Sequence, residues 1–131
     1  MATVALTKDT FEETILENDT VLIDFWGEWC GPCRMFAPVY EKLSDQYPNA
    51  VFAKVDTEDQ QELAQSFNIR SIPTLMIFRE QIGIFSQPGA LPEPALQNLV
   101  DQALALDMDE VRRQIEAEDD HDHDHDHDHD H

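Results

Sequence analysis

Short apolar runs of strand length alternate along this chain with stretches in which apolar residues return every three or four positions, and few folds accommodate that alternation. Val21-Leu22-Ile23-Asp24-Phe25-Trp26 and Val51-Phe52-Ala53-Lys54-Val55 are rich in β-branched and aromatic residues. The first is nearly continuous in apolar side chains, as a strand covered on both faces must be. Thr74-Leu75-Met76-Ile77-Phe78 and Ile82-Gly83-Ile84-Phe85 follow closely enough to form a hairpin turning at Arg79 to Gln81, without the usual Asn-Gly signal. A weaker strand is expected at Thr3 to Leu6. Between these runs lie helical patterns. Thr10 and Glu13 suggest a capping box ahead of Ile15 and Leu16. Phe36, Val39, Tyr40, Leu43 and Tyr47 mark a helix starting near Cys33, with Pro38 inside it as a kink. Leu63, Ala64 and Phe67 mark a third helix, and Leu96, Leu99, Val100, Ala103 and Leu104 a fourth after Pro92 and Pro94. The order β-α-β-α-β-α-β-β-α predicts an α/β fold: a central mixed β-sheet, parallel at the crossovers and antiparallel at the hairpin, with helices on both faces.

Length and charge narrow the organisation. At 131 residues the chain suits one domain with one core. Its formal charge of −20 is unevenly spread: residues 1–106 carry 16 acids and 6 bases, and residues 107–131 carry 12 acids and 2 bases. A domain at 1–106, an appended short helix at 107–118 and a disordered tail at 119–131 are therefore expected. Asp107 starts the appended helix, with Met108, Val111 and Ile115 on one stripe. Beyond Glu116 only Ala117 is apolar, too little to offset the entropy of ordering the tail. So acidic a chain is a poor ligand for nucleic acid or anionic membranes, and we expect neither as a partner. Met1 to Lys8 has no basic segment followed by an apolar run, and nothing approaches the roughly 20 apolar residues that span a bilayer, so a cytoplasmic location is expected.

The chemistry centres on Cys30-Gly31-Pro32-Cys33, the only cysteines. A pair so close cannot staple distant segments, which leaves redox chemistry or metal ligation. Disulfide exchange needs a thiolate, favoured where unpaired backbone N–H groups of a helix N-terminus point. Cys30 lies just before the second helix and is the expected attacking sulfur. Gly31 permits a tight turn and Pro32 suits a first helical turn, bringing Cys33 round to close a small ring as the resolving thiol. The alternative is half a zinc site, which needs two further Cys or His ligands; none stands before residue 121. Asp24 interrupts an apolar strand. There a carboxylate loses hydration and its pKa rises, a setting suited to proton transfer, unless it lies at a sheet edge touching solvent.

The segment from Val21 through Gly27-Glu28-Trp29 to Cys33 resembles the strand and redox loop of the thioredoxin family. Phe67-Asn68-Ile69-Arg70-Ser71-Ile72-Pro73-Thr74-Leu75 resembles that family's second signature, and Gly89-Ala90-Leu91 its third. The likeness covers about residues 3 to 106 and implies the thioredoxin fold and a protein-disulfide reductase. Under it, Asp24 is a general base toward Cys33, acting through water, with Lys54 on the next strand as its electrostatic partner. Pro73 matches a cis-proline, against the plainer reading of a proline at a strand start. Ile72 offers its backbone to an extended peptide. Trp29, Gly31, Pro32 and Gly89 complete the implied substrate surface; Trp29 flanks the site and Trp26 packs, though either suits a plain core. The implied partners are disulfide-containing proteins and a thioredoxin-reductase-like electron donor, the implied state a monomer, and no bound cofactor is needed. Departures exist: Gly27 stands where many relatives have alanine, and Arg34 where lysine is common. Gly31-Pro32 matches the reducing members rather than the oxidising or isomerising ones.

The tail is outside that likeness. His121, His123, His125, His127, His129 and His131 alternate with five aspartates, a donor set suited to zinc, nickel or copper. The alternative is an affinity tag or a solubilising tail. A rival reading of the whole chain makes the fold a scaffold for this metal-handling segment.

Overall fold

A computed structural model of the chain describes residues 2–129, with side-chain surroundings for residues 2–119. The elements run β1 (Thr3–Ala5), α1 (Lys8–Glu17), β2 (Thr20–Trp26), α2 (Gly31–Ser44), β3 (Val51–Asp56), α3 (Gln61–Ser66), β4 (Thr74–Arg79), β5 (Ile82–Pro88), α4 (Glu93–Ala105) and α5 (Met108–His129). The strands form one mixed sheet in the order β1-β3-β2-β4-β5. β1 and β2 flank β3 in parallel, while β4 pairs antiparallel with both β2 and β5. The α/β class and the mixed sheet are thus as the alternation predicts.

β2 is central, and the pleat sends its alternate residues into two cores. Leu22 packs with Phe36, Tyr40 and Leu43 of α2 and with Leu96 and Val100 of α4. Val21, Ile23 and Phe25 pack on the other face with Phe11 and Ile15 of α1 and Leu63 of α3. This two-sided burial explains why β2 reads as a continuous apolar run. Each such side chain contributes about 1.5–3 kcal/mol relative to exposure. The parity that sends Leu22 under α2 sends Asp24 there as well, so the one charged residue of β2 faces the helix that carries the cysteines.

Three element boundaries differ from the sequence reading. α1 is capped by Thr7 rather than Thr10: the Thr7 N–H donates to Thr10 Oγ1 (3.0 Å), so Thr10 serves the cap from inside the first turn. α2 starts at Gly31 rather than near Cys33, because Pro32 needs no N–H donor in a first turn. α5 starts beside the expected Asp107, whose Oδ1 accepts from the N–H groups of Asp109 (3.1 Å) and Glu110 (3.3 Å). Its helical backbone then runs on to His129, with no break at the expected boundary near Glu118. Apolar periodicity carries no trace of this extension, since a capped and nucleated helix gains one hydrogen bond for each further residue fixed.

The β4–β5 turn falls at Glu80 and Gln81, both with positive φ (48° and 72°), a conformation that Asn and Gly usually supply. It is held from outside the hairpin. The Glu80 N–H donates to Asp19 O (2.7 Å), and Gln81 Nε2 to Leu16 O (3.4 Å). Buried Arg79 donates to Asp19 Oδ2 (3.1 Å) and to Ala103 O (2.6 Å), and Arg112 of α5 donates to Glu80 Oε1 (2.7 Å). Met108 is buried, so α5 is docked at its start by an apolar plug and an ion pair.

Candidate active site

The strand β2 ends at Trp26, and Gly27 to Trp29 form the loop that delivers Cys30 to the start of α2. Two contacts fix this loop: the Cys30 N–H donates to Gly27 O (3.3 Å), and the Arg34 guanidinium donates to Glu28 O from both Nε (3.3 Å) and Nη2 (3.0 Å). Cys30 is the N-cap of α2, and its Sγ accepts from the Cys33 N–H (3.2 Å). The free N–H groups and the positive end of the helix dipole favour negative charge on that sulfur. One turn brings Cys33 back, and the two residues are disulfide-bonded with Cα atoms 5.2 Å apart.

The two sulfurs occupy different environments. Cys30 is half-buried at the molecular surface, whereas Cys33 is only 3% exposed. Beneath α2, Asp24 is 1% exposed, and neither of its carboxylate oxygens has a hydrogen-bond partner among the described residues. Burial raises its pKa from 3.8 to about 7, and the positive charge of Lys54 opposes that rise. The sheet-edge alternative for Asp24 is therefore excluded. Lys54 is its register partner on β3 and lies over the Trp26 ring, 5.1 Å from the centroid. Trp26, Glu28, Cys33, Arg34 and Lys54 line a cavity of about 240 Å³ opening beside the disulfide. Tyr40 donates to Ala53 O (2.8 Å); burial and then the Asp24 charge push its phenol well above its usual pKa.

The second loop meets the first at the cysteines. The Ile72–Pro73 bond is cis, and Ile72 O lies 3.5 Å from Cys30 Sγ. Gly89, at φ +108°, donates its N–H to Pro73 O (2.8 Å), joining the third motif to the second. That φ is open to glycine and strained for other residues. Trp29 is 78% exposed, so it flanks the site, while Trp26 packs half-buried. Gly31 and Pro32 are exposed between the sulfurs.

The structure thus brings together Cys30, Cys33, Trp29, Gly31, Pro32, Ile72 and Pro73 around one surface, with Asp24 and Lys54 behind it. Met35 is a large apolar side chain of α2 left facing solvent. It is 76% exposed in the first turns of α2, and the available signal was its phase, off the stripe of Phe36, Val39, Tyr40 and Leu43. The side chains of His121 to His129, and residue His131 altogether, lie outside the described residues. Among the described residues no group of His, Cys, Asp or Glu is arranged to hold a metal ion.

Comparison with known proteins agrees with this geometry. The Thioredoxin family pattern matches residues 2–102. A Streptomyces coelicolor protein provisionally named thioredoxin 2 is 61% identical over 114 residues, covering 87% of this chain and 85% of its own. Thioredoxin 1 of Synechococcus elongatus is 44% identical over 102 residues, covering 76% of this chain and 95% of its own. Among solved structures, a thioredoxin mutant from Halobacterium salinarum superposes with a TM-score of 0.74 at 33% identity, over 80% of this chain and 93% of that one. A Plasmodium falciparum thioredoxin gives 0.71 at 35% identity, over 76% and 97%. A redox dithiol of this spacing on this fold makes the protein a thiol-disulfide oxidoreductase, and the chain belongs to the thioredoxin family.

Proposed function

We propose that Cys30 is the attacking and Cys33 the resolving sulfur in the reduction of protein disulfides. The observation that carries this is the asymmetry of the pair: an accessible sulfur capping a helix, and a buried one on the side of α2 that faces Asp24. The Cys30 thiolate attacks one sulfur of a substrate disulfide, forming a mixed disulfide and expelling the other as thiolate. Asp24, as general base through water, takes the Cys33 proton, and Cys33 attacks Cys30 Sγ. The Cys30–Cys33 disulfide forms and the second substrate thiol leaves. Both electrons come from the dithiol, so the redox step needs no cofactor. Lys54 tunes the Asp24 proton affinity. Trp29, Gly31, Pro32, Ile72, Pro73 and Gly89 form the substrate surface, with the Ile72 backbone pairing to an extended peptide.

The partners that follow are disulfide-containing proteins and a thioredoxin-reductase-like electron donor, met as a monomer. A cytoplasmic site of action fits a reducing Gly31-Pro32 pair. No helix among the described residues is long and apolar enough to cross a membrane. We also propose that residues 1–106 act as the redox domain and that the His/Asp tail at 119–131 binds zinc, nickel or copper independently of it.

The test is mixed-disulfide trapping. With insulin as substrate and dithiothreitol as reductant, the intact protein should reduce the disulfides. Cys33→Ser should accumulate a covalent adduct through Cys30, and Cys30→Ser should give neither adduct nor reduction. An adduct formed through Cys33 instead would reverse the assignment.

A further inference from the structure

Gly27 lies where β2 passes into the redox loop, and the space above its Cα is already occupied. A Cβ built there would stand 2.7 Å from Ile72 Cδ1, inside any tolerable contact, with Thr57 Oγ1 next at 3.8 Å and Glu58 Oε1 at 3.9 Å. Gly27 is not in a left-handed conformation, so backbone freedom does not explain the glycine. What the missing side chain provides is room for one methyl group of Ile72. Ile72 carries the carbonyl 3.5 Å from Cys30 Sγ and precedes the cis bond to Pro73. The loop at Gly27 is in turn joined to Cys30 through the Cys30 N–H to Gly27 O contact.

We infer that Gly27 is a positioning residue for protein substrates: by leaving space for Ile72 Cδ1, it sets the side-chain pose of Ile72 beside Cys30 and so tunes recognition of the peptide around a target disulfide. This rests on the proposed role of Ile72 in the substrate surface. The conflicting atom is the far end of a flexible side chain rather than backbone. A methyl group at position 27 is therefore absorbed by turning Ile72, and the fold survives. The consequence falls on shape beside the reacting sulfur, while the cysteines, Asp24 and the helix terminus stay in place. Shape changes of one methyl in an apolar contact alter discrimination by about tenfold or somewhat more when the contact is fully buried. At half-buried Ile72 a several-fold effect is expected.

The experiment is a double-mutant cycle on the full chain, using Gly27→Ala, Ile72→Val and the pair together. Valine lacks the Cδ1 methyl, so it removes the conflict without removing the branched side chain. Insulin reduction with dithiothreitol gives kcat and KM. The Cys30/Cys33 equilibrium with glutathione and the urea unfolding midpoint report the chemistry and the fold. We expect Gly27→Ala to raise KM for insulin several-fold, with kcat, the redox equilibrium and the unfolding midpoint held. We expect the same substitution to have no effect on KM in the Ile72→Val background. An unchanged KM in Gly27→Ala overturns the inference, as does an equal KM increase in both backgrounds or a shift in the redox equilibrium. Failure of the wild-type protein to reduce insulin would instead strike at the proposed function, so the two failures are distinguishable.

Discussion

Asp24→Asn should stabilise the protein at neutral and alkaline pH while impairing its chemistry. The wild-type carboxyl group has a folded-state pKa raised from 3.8 to about 7 by burial, partly offset by Lys54. Between those two values the folded state holds a proton that the unfolded state has released. Stability therefore falls as pH rises from about 4 to about 7 and levels off above. Roughly three powers of ten in protonation, at ~1.4 kcal/mol each, amount to ~4 kcal/mol lost across that window. We take this figure as an upper value. Asparagine has no proton to lose and removes this slope. The assay is urea unfolding of the oxidised protein at a series of pH values from about 4 to about 9, with both proteins as full chains so that the six tail histidines cancel. The difference should be small near pH 4 and should grow to an advantage of about 2–4 kcal/mol for Asp24→Asn by pH ~8. Parallel curves would refute the burial argument.

Other consequences are narrower. Lys54→Met removes the charge that lowers the Asp24 pKa, so the inflection in the pH dependence of insulin reduction should move above about 7, read from initial rates across pH. Arg79→Met leaves Ala103 O and the Asp19 carboxylate without their buried partner and should cost about 1–3 kcal/mol in urea unfolding, without altering the redox potential. Removal of residues 119–131 should abolish zinc binding measured by calorimetry and leave insulin reduction intact. Loss of reduction on truncation would favour a coupled metal-handling device.

Much of this site is legible in the sequence. The Cys30-Gly31-Pro32-Cys33 spacing dictates a helix start, and a lone Asp24 in an apolar strand is informative because unpaired burial is costly. Periodicity could not decide whether Asp24 lay at a sheet edge; that depended on β4 pairing with β2 across residues distant in sequence. Nor could it separate Trp29 from Trp26, since the same residue type serves packing and recognition. The left-handed turn at Glu80 and Gln81 was not legible because its support comes from Asp19 and Arg112, far along the chain in either direction. The Gly27–Ile72 contact is of the same kind, a fit between two loops that neither loop specifies by itself.

The most direct test of the central claim is the reduction potential of the Cys30/Cys33 couple, measured against glutathione and dithiothreitol buffers. A disulfide reductase of this family should lie near the value of thioredoxin itself, about −270 mV. A value above roughly −200 mV, in the range of protein disulfide isomerase and stronger oxidants, would contradict the reductase assignment.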